Sequence, residues 1–321
     1  MAPTPARARL VAGFAAVYVL WGSTYLAIRF AVESFPPFVM AGTRHLTAGL
    51  LLFAFLRARG VALPERRHWK SAAIIGALLL LGGNGFVSWA EQRVPSGLAA
   101  LIVASVPIWM AIVQGALRRR RPPAAVLAGL LIGLAGLVLL VLPGRFGGGE
   151  HVDPLGAAAL VFAALSWVIG SLYSRRAVLP RSTLLAIAIE MIAGGAILWI
   201  AGLAFGEGAR IHLANVSLRS VLSLAYLIVF GSLIGFSAYI WLLKVSTPAR
   251  VTTYAYVNPV VAVLLGWAFA GEALTLRIGI AALAIVGAVA LIIRYGGETS
   301  KAPASVASPV PASPLAREKA S

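Results

Sequence analysis

Apolar residues in this chain neither alternate nor recur singly between polar ones; they run on in long blocks. Ten such blocks lie at residues 10–30, 38–56, 71–90, 97–117, 124–142, 154–174, 184–205, 219–242, 250–270 and 275–294. Each has the roughly 17 to 25 residues that a helix needs to cross a hydrocarbon core about 30 Å thick. Continuous apolarity predicts helices, because the strands of a membrane barrel would alternate polar and apolar over about 10 residues. The pattern therefore predicts an all-α integral membrane protein of ten transmembrane helices.

Composition agrees: 60% of the 321 residues are hydrophobic, 12% are charged and the mean hydropathy is +0.92. Soluble domains are about 45 to 50% apolar, so water is excluded as the main solvent. A net charge of +17 could suggest nucleic acid, but the placement of the charges decides otherwise. Ten spans put both termini on one side. If that side is the cytoplasm, its segments hold 20 of the 27 Lys and Arg, including Arg57, Arg59, Arg66, Arg67, Lys70, Arg118 to Arg121, Arg175, Arg176 and Arg181. Only Arg29, Arg93, Arg145, Arg210, Arg219 and Arg277 fall on the other side. This is the positive-inside asymmetry of a bacterial cytoplasmic (inner) membrane protein, and it leaves no nucleic-acid face.

Arg7 and Arg9 ahead of the first span resemble the start of a signal peptide. Trp21, Ser23, Thr24 and Tyr25 follow without a small-residue cleavage site, so the span is expected to be retained. The absence of cysteine excludes disulfides, thiolate metal sites and cysteine nucleophiles. Residues 296–321, rich in Pro, Ala and Ser, read as a disordered cytoplasmic tail.

A weak internal repeat divides the chain into residues 10–142 and 154–294. An offset of 146 places Trp21 on Trp167, Arg44 on Glu190 and Gly49 on Gly195, inside the similar strings AGTRHLTAG and IAIEMIAGG. An offset of 152 pairs Trp89 with Trp241 and Pro107 with Pro259. Five spans per repeat is an odd number, so the second copy must enter the membrane inverted. Inverted repeats are frequent in secondary transporters, where two similar halves exchange conformations around a midplane site.

The strings WGSTYLAIRF, PPFVMAGTRHLTAG, VPSGLAALIVASVP, SWVIGSLYSRR and TYAYVNPVVAVLLGWAFAGEALT resemble the EamA-type branch of the drug/metabolite transporter superfamily, over about residues 10 to 295. The resemblance implies a small-molecule transporter whose first, third, fourth, sixth, eighth and ninth spans surround a central cavity. One departure is visible: the acidic turn Gly271-Glu272 often has a counterpart after the fourth span in the family, where this chain has Arg118 to Arg121.

Several residues are candidates for the transport path. Trp21 and Tyr25, four apart, share a helical face, as do Trp167 and Ser171; such faces can stack a solute or pack helices. Trp89, near a helix end, is a weaker candidate. Asn84, among Gly82, Gly83 and Gly85, needs a partner in hydrocarbon, either another helix or a solute; Asn258 poses the same choice. Tyr254 and Tyr256 offer hydroxyls to substrate or to neighbouring helices. Pro107 and Pro259 fall within spans and free the carbonyls of Val103 and Ala255, as hinges or static kinks. Arg44 and Glu190 are costly intramembrane charges. They lie near opposite ends of their helices, so an ion pair between them is not expected, and Arg44 is expected to snorkel or to bond carbonyls. Glu190 and Glu91 are candidate proton-coupling carboxylates, and His45 reads as packing.

Three function classes remain. A secondary transporter, most simply an exporter of small metabolites such as amino acids, accounts for the repeat and the intramembrane polar residues. A membrane-embedded enzyme would need a catalytic constellation, and the chain has no HExxH, GxSxG or P-loop. A lipid scramblase or flippase-like protein would share the architecture. No cofactor is implied, and without a Walker motif the driving force is a gradient. The glycines of Gly231 to Gly235 could serve a dimer, but packing within a monomer is the preferred reading.

Overall fold

The computed structural model describes residues 7–118, 123–141, 153–246, 251 and 254–296. Arg119 to Arg121 and the tail beyond Gly296 lie outside the described residues. Among those described, all regular structure is helical and no strand occurs. Seven helices are long and apolar enough to cross a membrane: α1 (Arg7–Ala31), α2 (Pro37–Ala58), α3 (Arg66–Ala90), α4 (Ser96–Leu117), α6 (Pro154–Ser174), α7 (Thr183–Ala204) and α8 (Leu218–Val245). Three further helices, α5 (Ala124–Val141), α9 (Tyr254–Ala270) and α10 (Leu276–Gly296), are apolar over most of their length.

Local signals explain where helices depart from the apolar blocks. Residues 71–90 mark a span, yet α3 begins at Arg66, because Glu65 and His68 cap each other across the first turn: the Glu65 amide donates to His68 Nδ1 at 3.1 Å. Asp153 starts α6 by accepting from the Leu155 amide at 3.1 Å, with Pro154 in the first position.

The fourth span, α4, is made of two helical segments and is not kinked at Pro107. It breaks at Ala104 and Ser105, and Pro107 is the second residue of the new segment Val106–Arg118, where a missing amide costs little. Ser105 bridges the break: its hydroxyl donates to the Ile102 carbonyl at 2.6 Å and accepts from Trp109 Nε1 at 3.0 Å. Pro259, by contrast, does sit inside α9.

Three helices widen from α to π geometry, over Ala16–Leu20 in α1, Gly76–Gly85 in α3 and Leu227–Phe236 in α8. Such stretches are uncommon and concentrate at functional sites.

Packing follows membrane rules. α2 lies along α7, and α5 along α10. In lipid, close association depends on small residues at the contact: a Cβ at Gly76 of α3 would come 2.6 Å from the Gly194 Cα of α7. Large apolar side chains such as Leu50, Leu51, Leu131, Ile200 and Leu283 point outward, as expected where lipid rather than water is the solvent.

Carboxylates from the second half close two helices of the first. Glu207, after α7, accepts from the amides of Phe38 and Val39 at 3.3 and 2.9 Å, at the start of α2. Glu272, after α9, accepts from the Ser96 amide and hydroxyl at 2.7 and 2.6 Å and from the Gly97 amide at 2.9 Å, at the start of α4. Each glutamate follows a glycine in the left-handed region, Gly206 at φ 76° and Gly271 at φ 67°, which turns the chain sharply back after its helix. The acidic turn singled out in the sequence is thus a helix cap supplied by another helix's end.

Candidate central solute cavity

Between the helices lies a cavity of about 610 Å³, counting the part open to the outside. Its wall draws on α1, α2, α3, α4, α6, α8 and α9. The resemblance names six of these seven; α2 is the addition.

One side is aromatic. Trp21 meets Trp167 edge to face at 5.5 Å and Tyr254 at 5.6 Å, and all three border the cavity. Behind them Tyr239, almost fully buried, lies 4.9 Å from Trp21 and 5.3 Å from Trp167. Hydrogen bonds fix the group: Trp167 Nε1 donates to the Tyr239 hydroxyl at 2.9 Å, and Trp21 Nε1 donates to the Gly231 carbonyl at 3.2 Å. The second bond uses a carbonyl inside the π-helical part of α8. α3 reaches this wall because Gly83 has no side chain: a Cβ there would come 2.7 Å from the Trp167 ring.

The other side is polar. Asn84 borders the cavity, and its side chain makes no hydrogen bond among the described residues. The sequence requires a partner for this amide; the structure supplies cavity space instead of a neighbouring helix. Asn258 is held more firmly, its amide nitrogen placed to donate to the carbonyls of Tyr18 at 2.9 Å and Tyr254 at 3.3 Å.

Arg44 corrects its expectation. It does not snorkel: it is buried, borders the cavity and donates from Nε to the Ser232 hydroxyl at 2.8 Å. Gly231 makes room for it, since a Cβ there would lie 2.5 Å from Nη2. His45, read as packing, is fully buried with its ring against Phe236, and it also borders the cavity with Nδ1 3.3 Å from Ser232 Oγ. Its Nε2 is buried without a hydrogen-bond partner among the described residues. Gly231 and Gly235 pack against Arg44 and Trp21 of the same chain.

Of the candidates from sequence, Trp21, Tyr25, Asn84, Trp167, Tyr254 and Asn258 come together around this space. Ser171 does not reach it; its hydroxyl bonds the Trp167 carbonyl at 2.6 Å and lies 2.8 Å from the Tyr239 hydroxyl, supporting the aromatic wall from behind. Trp89 is elsewhere, with the Arg93 guanidinium 4.0 Å over its ring. The Tyr256 side chain lies outside the described residues. Glu190 is fully buried away from the cavity, and neither of its oxygens has a partner among the described residues. Arg44 and Glu190 form no ion pair, as expected from their places on the helices.

Glu91, one residue past α3, is also fully buried with both oxygens unbonded among the described residues, while its backbone carbonyl accepts from Arg29 at 2.7 Å. Burial holds its carboxyl well above the usual carboxylate range; Glu272 adds to the rise, and Arg29 and Arg44 oppose it. Tyr239, Ser232 and Phe236 were not singled out in the sequence. The position of Tyr239 four residues after Gly235, on α8, carries no signal that separates it from a lipid-facing tyrosine.

Comparison with known proteins is consistent throughout. The EamA-like transporter family model matches residues 9–142 and again residues 154–294. The chain is 45% identical over 276 residues to the uncharacterized inner membrane transporter YedA of Escherichia coli (strain K12), covering 84% of this chain and 87% of that protein. It is 24% identical to the uncharacterized transporter YvbV of Bacillus subtilis (strain 168), covering 85% and 88%. One crystal structure shares the fold with a TM-score of 0.62 at 24% identity, covering 92% of this chain and all of the other.

Proposed function

Since the chain belongs to the EamA-like transporter family, its two halves each matching the family model, we propose that it exports small metabolites such as amino acids by alternating access. It is a membrane transporter of the inner membrane. In this reading the ten helices form two inverted five-helix repeats with both termini cytoplasmic, and the protein works as a monomer without enzymatic activity. The observation that carries the proposal is the central cavity, walled by helices of both halves and lined by Trp21, Tyr25, Asn84, Trp167, Tyr254 and Asn258. These six side chains contact the solute, and Ser171 holds the aromatic wall in place.

Exchange between inward-open and outward-open states needs places where helices flex. The break before Pro107 and the proline within α9 at Pro259 are two. The π-helical stretches Gly76–Gly85 and Leu227–Phe236 are two more, and they occupy corresponding places in the two halves. If proton antiport drives export, Glu91 and Glu190 are the buried carboxylates able to carry the proton.

The test is metabolite profiling of the medium of cells overexpressing the protein beside a Trp21→Ala, Asn84→Ala variant at equal membrane abundance. Accumulation of one compound class with the intact protein alone is expected, and it names the substrate. Identical profiles, followed by flux of labelled lipid but of no water-soluble metabolite in proteoliposomes, would replace the exporter by a lipid-moving protein.

A further inference from the structure

The polar side of the cavity carries a charge with nothing to balance it in contact. Arg44 is 3% exposed, yet its only hydrogen bond among the described residues runs from Nε to Ser232 Oγ. Its terminal nitrogens are left with none. The ion pairs among the described residues are Arg67 with Glu65, Arg93 with Asp153 and Arg219 with Glu33, and Arg44 belongs to none of them. Among the described residues, no Asp or Glu borders the cavity. A guanidinium held at Nε presents its remaining donors as a fork, the geometry that grips a carboxylate through two parallel hydrogen bonds.

The same cavity is bordered by the aromatic cluster of Trp21, Trp167 and Tyr254 and by Asn84, whose amide is unbonded among the described residues. A neutral solute would leave the terminal nitrogens of a buried guanidinium without a partner in contact, which is costly. A solute with one carboxylate and an apolar body would satisfy both ends at once.

We propose that Arg44 is the anion-binding residue of the cavity, and that the transported solute is a small carboxylate whose apolar or aromatic part rests on the Trp21 and Trp167 wall. This rests on the transporter reading and narrows it to a substrate class. Ser232 acts behind Arg44 and fixes the direction of the fork, with His45 Nδ1 3.3 Å from the same hydroxyl.

The experiment uses the full chain in nanodiscs of phosphatidylcholine, which lacks anionic headgroups, and titrates phenylacetate against neutral phenylacetamide. Binding is read from quenching of tryptophan fluorescence and from radiolabelled phenylacetate. Phenylacetate is expected to bind at least about tenfold more tightly than the amide. Arg44→Gln is expected to remove that preference, and Arg44→Lys to keep part of it, since a point charge attracts the anion without the fork. Equal binding of the two probes, no binding of phenylacetate, or an unchanged preference in Arg44→Gln would overturn the assignment. So would displacement of phenylacetate by phosphatidylglycerol added to the discs, which would give the site to a lipid headgroup. A separate counterflow assay in proteoliposomes keeps the two readings apart. Carboxylate preference without flux of any solute would sink the transporter reading and leave the anion site standing, whereas flux of neutral and anionic solutes alike would do the reverse.

Discussion

Trp21 and Trp167 stand edge to face with ring centroids 5.5 Å apart and an interplanar angle of 81°, although each is the other's counterpart in the internal repeat. The contact joins the two halves of the chain at the cavity wall. An edge-to-face pair gains from the positive ring edge meeting the negative face, and Tyr239 and Tyr254 extend the cluster on both sides.

Removing cavity side chains should impair transport without removing the protein. Trp21→Ala and Asn84→Ala are expected to lower flux of the identified substrate about tenfold, as loss of about 1.4 kcal/mol of contact would do. Trp89→Ala, whose ring lies under Arg93 and outside the cavity, is expected to transport normally. Initial rates in vesicles, normalised to membrane abundance, decide the comparison.

Tyr239→Phe isolates one hydroxyl. It takes the acceptor from Trp167 Nε1 and a partner from Ser171. An indole N–H left buried without a partner costs about 1 to 3 kcal/mol. The variant should therefore unfold at lower temperature in nanodiscs, and adding Ser171→Ala should cost little more, because the bond the two share is already gone.

The interhelical caps can be removed one at a time. Glu272→Ala strips Ser96 and Gly97 of their acceptor, and Glu207→Ala does the same to Phe38 and Val39. Each should destabilise by about 0.5 to 2 kcal/mol, the usual worth of a helix cap. Since they close different helices, the double variant should show close to the sum in thermal unfolding.

Crowding at a glycine should be felt at once where helices touch. Gly76→Val would drive a side chain into Gly194, 2.6 Å away, whereas nothing stands within 4 Å of a Cβ at Gly279. The first is expected to cost about 1 to 3 kcal/mol by overpacking and to lower membrane abundance. Gly279→Val should leave abundance near wild type, as measured by fluorescence of a C-terminal fusion.

Glu91 makes stability depend on pH. Its carboxyl is held above the ordinary value of 4.5 in the folded protein, so the folded state binds the proton more tightly than the unfolded one. The contribution is therefore fully present below that ordinary value and lost as pH rises through the raised one. Thermal unfolding from about pH 5 upward should show stability falling with pH, and Glu91→Gln should flatten that fall.

Much of this was legible in the residues themselves. Hydrocarbon cannot hydrogen-bond a backbone, so any long apolar block must become a helix, and the blocks could be read off directly. The family, and the side chains Trp21, Tyr25, Asn84 and Trp167 that border the cavity, were also named from local pattern. What spacing cannot express is which helices meet. Arg44 looked like a residue reaching for the membrane surface, because distance to a helix end is a property of sequence. That Ser232 waits for it, 188 positions away, that Gly231 leaves it room and that no carboxylate touches it are properties of packing. The same holds for Glu272, an acidic turn in the sequence and the cap of α4 in the structure. Tyr239, too, gained its place only when α6 and α8 came together, since a side chain's role in lipid depends on whether it faces acyl chains or another helix.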